Sequence, residues 1–62
     1  MLKDLLKKEV VVTEIDKNKI IGVLERIEKT GIYVDETTAL GNTIFLKYDE
    51  ITDIKEYNQN DM

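Results

Sequence analysis

The chain has 62 residues, which is enough for one small domain, and its net charge is −4. It contains no Cys, His or Ser, so disulfides, the usual nitrogen and sulfur ligands of zinc, iron or copper, and Ser-His or Cys-His catalytic pairs are excluded. Thirteen acidic residues against nine basic ones argue against strong non-specific binding to nucleic-acid phosphates. We therefore expect a protein without catalytic activity, metal or cofactor.

Size and composition together favour self-association in the cytoplasm. Small domains usually gain stability from disulfides, metals or oligomerisation, and only the last of these is open to a chain without Cys and His. The lack of Cys fits a reducing compartment. No signal-like segment follows Met1, and no apolar stretch approaches the length of a membrane span. We expect a cytoplasmic homo-oligomer that does not enter a membrane.

The first segment of the chain, residues 2–8, has the pattern of a short helix. Leu2, Leu5 and Leu6 stand at positions i, i+3 and i+4, which places one apolar stripe along a helix. A helix of this length is not stable alone in water. We therefore expect it to dock across an open end of a sheet.

Two strands and a turn follow the helix. Residues 9–15 are rich in β-branched side chains and predict the first strand. Residues 16–19 predict a turn in which Asn18 takes a left-handed backbone conformation. Residues 19–27 predict the second strand, with imperfect alternation and with Gly22 in its middle. A glycine at such a place indicates a bend or the close approach of another backbone.

Three further strands complete the pattern. A turn at residues 28–31 predicts a positive φ at Gly31. The strands that follow are predicted at residues 31–36, 42–48 and 51–57, separated by a loop at 37–41 and a tight corner at 49–50.

A short helix followed by five strands with short connections predicts a mainly β fold, an antiparallel meander that curls into a barrel. The domain spans residues 1–57, and residues 58–62 form a polar tail. Alternation along the strands predicts a core whose members are Leu5, Val10, Val12, Ile20, Leu24, Ile32, Val34, Ile44, Leu46, Ile51 and Ile54.

Two stretches of the chain carry a family pattern. The first has an apolar residue, a glycine, a hydrophobic residue two places on and an acid at the turn, as in Ile20, Gly22, Leu24 and Glu28. The second covers residues 44–54, across the last two strands. Both resemble the Sm-like family, which includes LSm and Hfq-like proteins, and the resemblance spans about residues 2–57. It implies a short N-terminal helix and a strongly bent five-stranded antiparallel barrel.

The chain differs from this family where the resemblance would supply RNA contacts. Gly31 ends the turn at which the family has a base-reading asparagine, and Glu28 replaces the usual aspartate. Tyr48 follows Lys47 where Sm proteins have a glycine, and Asp49 stands where Hfq-like proteins have a histidine. An acid at that place repels phosphate, so we expect RNA binding to be weak or absent.

Any RNA site implied by the resemblance would lie at Lys47, Tyr48, Glu28 and Gly31. A single lysine supplies little phosphate affinity, and a lysine on a strand is also a common guard of a sheet edge. The three tyrosines and the phenylalanine would either form a base-stacking platform or cap the barrel ends with hydroxyls in water.

The main functional expectation is pairing between copies. In the resembled family the fourth strand of one subunit pairs with the fifth strand of the next. Here neither strand contains Pro and each has a single lysine, which is little defence against pairing. The candidate edge residues are Thr43, Phe45, Lys47, Thr52, Ile54 and Glu56. We expect a non-catalytic module that self-associates and acts as an interaction scaffold for a protein partner; the alternative is an RNA-binding ring of Sm or Hfq type.

Overall fold

The computed structural model describes residues 1–37 and 41–58, which fold into one antiparallel sheet. Its strands are β1 (Glu9–Glu14), β2 (Lys19–Ile27), β3 (Gly31–Glu36), β4 (Thr43–Lys47) and β5 (Ile51–Glu56), and two short 3₁₀ helices span Leu2–Leu5 and Tyr48–Glu50. The strand order is β4-β3-β2-β1-β5. The mainly β prediction is confirmed. The meander is wrong for the last strand, because β5 pairs with β1 and leaves β4 and β5 as the two edges.

The predicted bounds are confirmed for β2 and β3 and are slightly long elsewhere. β1 ends at Glu14, because the Ile15 N–H donates to the Glu50 carbonyl oxygen and the Ile15 side chain is 63% exposed. β4 ends at Lys47, because Tyr48 already belongs to the second 3₁₀ helix. The predicted loop and polar tail include residues 38–40 and 59–62, which lie outside the described residues.

The N-terminal helix is shorter than predicted. It ends at Leu5 as a 3₁₀ helix, and Leu6 is 41% exposed. Lys7 then takes a φ of 67° and donates its N–H to the Leu24 carbonyl oxygen, while the Leu24 N–H donates to Lys8. Pairing with β2 thus replaces a second helical turn, which a short isolated helix has little energy to maintain.

The β1–β2 turn also differs from its prediction. Lys17, and not Asn18, has the positive φ, at 75°. Asn18 is held by Asp16 instead, whose carboxylate accepts from the Asn18 backbone N–H at 3.1 Å and from its side-chain amide at 3.0 Å. This local hydrogen-bonded turn fixes Asn18 and moves the left-handed residue one position earlier.

Two β-bulges explain the imperfect alternation of the apolar residues. In the β2–β3 ladder Leu24 pairs with Val34 and Arg26 with Tyr33, so the extra residue is Glu25. In the β1–β5 ladder the register shift leaves Thr52 as the extra residue. A bulge changes the phase of alternation along one strand. Ile27 and Leu24 therefore share one face of the sheet, and Ile51 and Ile54 likewise.

The face that carries these residues, here called the inner face, holds the core. Six buried side chains lie on it: Val10, Val12, Leu24, Ile32, Val34 and Leu46. The remaining predicted core residues are partly buried against this cluster, because they lie at the sheet edges and open ends: Leu5, Ile20, Ile44, Ile51 and Ile54. The 3₁₀ helix also packs there, through Leu2 and Leu5. The opposite side is called the outer face.

Gly22 allows β2 and β3 to come close on the inner face. A Cβ at this position would overlap the Asp35 carbonyl oxygen and lie 2.8 Å from Cγ1 of Val34. Of the two alternatives that the sequence left open for this glycine, a bend or a close backbone approach, the structure shows the close approach.

We expect Leu24→Ala to lower the free energy of unfolding by roughly 2–5 kcal/mol, because Leu24 is the largest fully buried side chain of the inner face. Urea unfolding at fixed protein concentration measures the loss. Ile15→Ala is the matched control, and since Ile15 is exposed it should change stability by about 0.5 kcal/mol or less. Equal losses for the two variants would contradict the described core.

Candidate functional site

The edge formed by β4 presents the backbone of three predicted residues. The Tyr48 N–H donates to Thr30, and the Glu36 N–H donates to Asn42, so every second residue between them bonds toward β3. The residues that alternate with these direct their N–H and C=O groups away from β3, and they are Thr43, Phe45 and Lys47. Their side chains lie on the outer face, opposite in direction to Ile44 and Leu46.

The edge formed by β5 presents two of its three predicted residues in the same way. The Tyr57 N–H donates to Glu9, so Asp53 and Lys55 are the residues of β5 after the bulge that bond toward β1. Ile54 and Glu56 therefore direct their backbone groups outward. Thr52 lies in the bulge, and its hydroxyl donates to the Thr13 carbonyl oxygen at 3.2 Å.

Both edges thus carry the residues proposed for them from sequence, and their charges differ. Among the residues whose backbone groups point away from the sheet, Lys47 is the charged residue of β4 and Glu56 is the charged residue of β5. The Lys47 N–H is already occupied, because it donates to Oε1 of Glu50 at 3.1 Å. Regular pairing along β4 therefore begins at Phe45 and runs toward Thr43.

An aromatic pair covers part of the outer face beside the β4 edge. The rings of Tyr33 and Phe45 have centroids 4.9 Å apart and planes tilted by 47°. Arg26 lies 5.8 Å from the Tyr33 ring centroid, where the Glu25 bulge places it. A tilted pair of this kind is a favourable aromatic arrangement. Phe45 remains 38% exposed, so the pair presents an apolar surface at the edge of the sheet.

Gly31 lies beneath this pair and not in the conformation predicted for it. Among the described glycines only Gly41 has a positive φ, at 73°, and Gly31 is the first residue of β3. A Cβ on Gly31 would overlap the Leu46 carbonyl oxygen and lie 2.8 Å from Cζ of Phe45. The glycine is needed because the Leu46 carbonyl group, together with the ring of Phe45, occupies the space of a side chain at this position.

The four residues of the implied RNA site lie close together. Lys47 pairs with Gly31 across the β3–β4 ladder, and the Tyr48 hydroxyl donates to the Glu28 carbonyl oxygen at 2.7 Å. The Glu28 carboxylate forms an ion pair with Arg26. The neighbouring positive charge is therefore already balanced by an acid, which weakens the attraction of this region for phosphate.

A groove at the β5 side of the molecule escaped the sequence analysis. It has a volume of about 380 Å³ and is lined by Met1, Leu2, Asp4, Leu5 and Ile54. The apolar spacing of Leu2 and Leu5 predicted a docked helix, but only the folded sheet shows that the helix lies beside Ile54. The groove therefore adjoins the outward-facing backbone of β5.

The described parts of the chain contain neither a group of metal ligands nor a helix that could cross a membrane. In residues 1–37 and 41–58, no three His, Cys, Asp or Glu side chains are grouped so that they would hold a metal ion. Within the same residues, no helix has the length and hydropathy needed to cross a membrane.

Comparison of the chain with protein-family models, with curated proteins and with solved structures finds no match in any of the three.

We expect Gly31→Ala to lower the free energy of unfolding by about 1–3 kcal/mol, because the added methyl group forces the Leu46 backbone and the Phe45 ring apart. Thermal or urea unfolding measures the loss. Gly41→Asn is the matched control: Gly41 has open space around it, and asparagine tolerates its positive φ. A Gly31→Ala variant as stable as the parent would show that the ring does not need this space.

Proposed function

We propose that this chain is a non-catalytic, cytoplasmic Sm-like module that self-associates through the edges of β4 and β5 and serves as an interaction scaffold. The observation that carries the proposal is the strand order, which makes β4 and β5 the two edges of the sheet. They belong to the same two strands whose pairing between subunits the family resemblance implies. The five-stranded sheet would curl into the implied barrel-like unit within such an assembly.

The composition of the edges supports pairing. The described strands β4 and β5 contain no proline, and the apolar side chains of Phe45 and Ile54 stand among their outward residues. Sheets that remain single usually protect their edges with proline, several charges or a covering segment. Such protection is slight on β4, where one carboxylate caps the Lys47 N–H, whereas β5 has a bulge at Thr52 and three charged residues.

The size of the core supplies a thermodynamic reason for association. Six residues of the described chain form the buried cluster, and their neighbours on the inner face are only partly buried. A domain of about 60 residues buries a smaller fraction of its surface than a larger domain does and is marginally stable by itself. Burying edge residues between copies would add apolar contacts that one copy lacks.

The charges favour contact between unlike edges. β4 carries one positive charge, from Lys47, whereas β5 carries a net negative charge, because Asp53 and Glu56 outnumber Lys55. Pairing β4 with β5 therefore joins edges of opposite net charge. A contact between different surfaces of identical copies builds a ring if the rotation closes and a filament if it does not.

We expect sedimentation velocity at tens of micromolar to show a discrete species several-fold heavier than the 7.2 kDa chain. Phe45→Pro should dissociate it, because proline removes an outward N–H donor and the ring at this edge. Thr43→Pro removes the outward N–H at the first residue of β4, where proline is best tolerated in a strand.

Thr43→Val is the matched control for Thr43→Pro, because it alters the side chain and keeps the N–H. It should leave the sedimenting species unchanged. Circular dichroism of each variant separates dissociation from unfolding. A folded wild-type monomer at these concentrations would contradict the proposed self-association.

RNA binding is a second candidate function, favoured by the aromatic pair of Tyr33 and Phe45 beside Lys47. Exposed rings next to a cation are typical of surfaces that stack single-stranded bases. The acids around this place oppose it, since Glu28 pairs with Arg26 and Asp49 is exposed beside Tyr48. We therefore infer that any RNA binding by this surface is weak.

We expect labelled oligo-U and oligo-A to bind, at about 150 mM salt, no more tightly than the typical non-specific range of about 10⁻⁴–10⁻⁶ M. Fluorescence anisotropy over a series of salt concentrations measures both affinity and salt dependence. Sub-micromolar binding would contradict the expectation. In that case Lys47→Ala and Tyr48→Ala should weaken it, whereas Lys17→Ala, in the β1–β2 turn, should not.

A further inference from the structure

We propose that the copies join in one defined antiparallel register, in which Phe45 of one copy lies opposite Ile54 of the next and packs against its N-terminal groove. The inference rests on the proposed self-association and adds the register and the partner surface. The occupant of the groove is thus a second copy of this chain.

The hydrogen bonds within the sheet limit which residues of β4 are able to lie opposite Ile54. In an antiparallel ladder, residues that bond toward the neighbouring strand lie directly opposite one another. The outward residues of β4 are Thr43, Phe45 and Lys47, and one of them must therefore lie opposite Ile54. Residues of even number on β4, such as Ile44, are excluded because their backbone groups are already bonded to β3.

The second step concerns the faces of the joined sheet. Residues that lie opposite one another have their side chains on the same face. Ile54 belongs to the inner face, together with its partner Val12, whereas Phe45 belongs to the outer face together with Tyr33. When two copies join in an antiparallel manner, the inner face of one copy therefore lies on the same side of the joined sheet as the outer face of the other copy. The exposed ring of Phe45 comes to the side on which the 3₁₀ helix is docked.

The third step selects the register by overlap. With Phe45 opposite Ile54, all of residues 43–47 lie opposite residues 52–56. A shift of two residues in one direction leaves only 43–46 opposite 51–54, and the other shift leaves only 45–47 opposite 54–56. The first register therefore pairs the whole of β4 with β5.

The chemistry of the pairs selects the same register. Ile54 faces an aromatic ring in this register, whereas the two shifted registers place Thr43 or Lys47 opposite it. The irregular positions also coincide, because Lys47, whose N–H is occupied by Glu50, lies opposite the bulged Thr52. The regular hydrogen bonds then form between the pairs that remain, Phe45 with Ile54 and Thr43 with Glu56.

The groove supplies the apolar surface for the ring. Leu2 and Leu5 line it together with Ile54, and Met1 is 89% exposed at its rim. Phe45 is 38% exposed while it contacts Tyr33, so its exposed edge can meet the groove without breaking the aromatic pair. This contact covers exposed apolar surface on both copies at once.

Cysteine cross-linking tests the register, because the chain has no Cys of its own. A tagged Glu56→Cys chain is mixed in turn with Thr43→Cys, Phe45→Cys and Lys47→Cys chains and oxidised mildly. These sites leave Ile54 intact, and the expected pair also leaves Phe45 intact. Opposite residues of a hydrogen-bonded pair have Cα atoms about 5.5 Å apart, within the range for a disulfide. We expect the mixed disulfide to form several-fold faster with Thr43→Cys than with the other two.

The outcomes separate this inference from the proposal beneath it. A wild-type monomer in sedimentation, with no cross-link in any mixture, overturns both. A wild-type oligomer whose cross-link forms faster through Phe45→Cys or Lys47→Cys, equally through all three, or in none of the mixtures overturns the register alone. As a second measurement, Leu2→Ala should raise the dissociation constant of the oligomer several-fold while Ile15→Ala leaves it unchanged. An unchanged constant for Leu2→Ala overturns the groove contact.

Discussion

The structure depends on one constraint: a single sheet has to gather its core side chains on the one face that it is able to cover. Part of that cover is a four-residue 3₁₀ helix, which packs against the core through Leu2 and Leu5. Val10, Val12 and Leu24 are completely buried on this face. Strict alternation along β2 and β5 would place Ile27 and Ile51 on the outer face. A bulge in each strand changes the phase of alternation, so that both side chains lie on the inner face.

The same constraint explains why the edges are the reactive part of the molecule. The buried apolar residues of the sheet lie on its inner face, and the strands at its two ends, β4 and β5, remain open edges. Phe45 is one of the large apolar side chains on the outer face, as is Ile21, and it lies over Gly31 and against Tyr33. Its ring is 38% exposed beside the open edge of β4. Its position links the packing of one copy to the contact that we propose between copies.

Alternation in the sequence predicted much of the fold, because the pattern of β2 and β3 reports burial directly. It identified all six buried core residues, and a glycine inside a strand indicated either a bend or the close approach that Gly22 makes. It failed where distant groups compete with local ones. Lys7 and Lys8 give up the helix to pair with Leu24, a contact that the local sequence does not reveal.

The candidate site was predictable to a similar extent. Period-two alternation placed Thr43, Phe45 and Lys47 on one side of their strand, and hydrogen bonds of the sheet then show that this side is the free edge. The groove was not predictable, because it requires knowing which strand lies beside the helix. Gly31 was misassigned to a left-handed turn, since the sequence does not show that a ring from another strand fills the space above it.

The bulge at Thr52 has a consequence for the shape of any assembly. Deleting this residue would keep every described pair between β1 and β5, because Thr13 would still face Asp53 and Glu14 would still face Ile51. What would change is the bend of the strand, since bulges increase local twist and curvature. In the proposed assembly this bent strand carries the junction. Subunit number would then follow from the inclination that one threonine gives to β5, while affinity follows from the side chains around it.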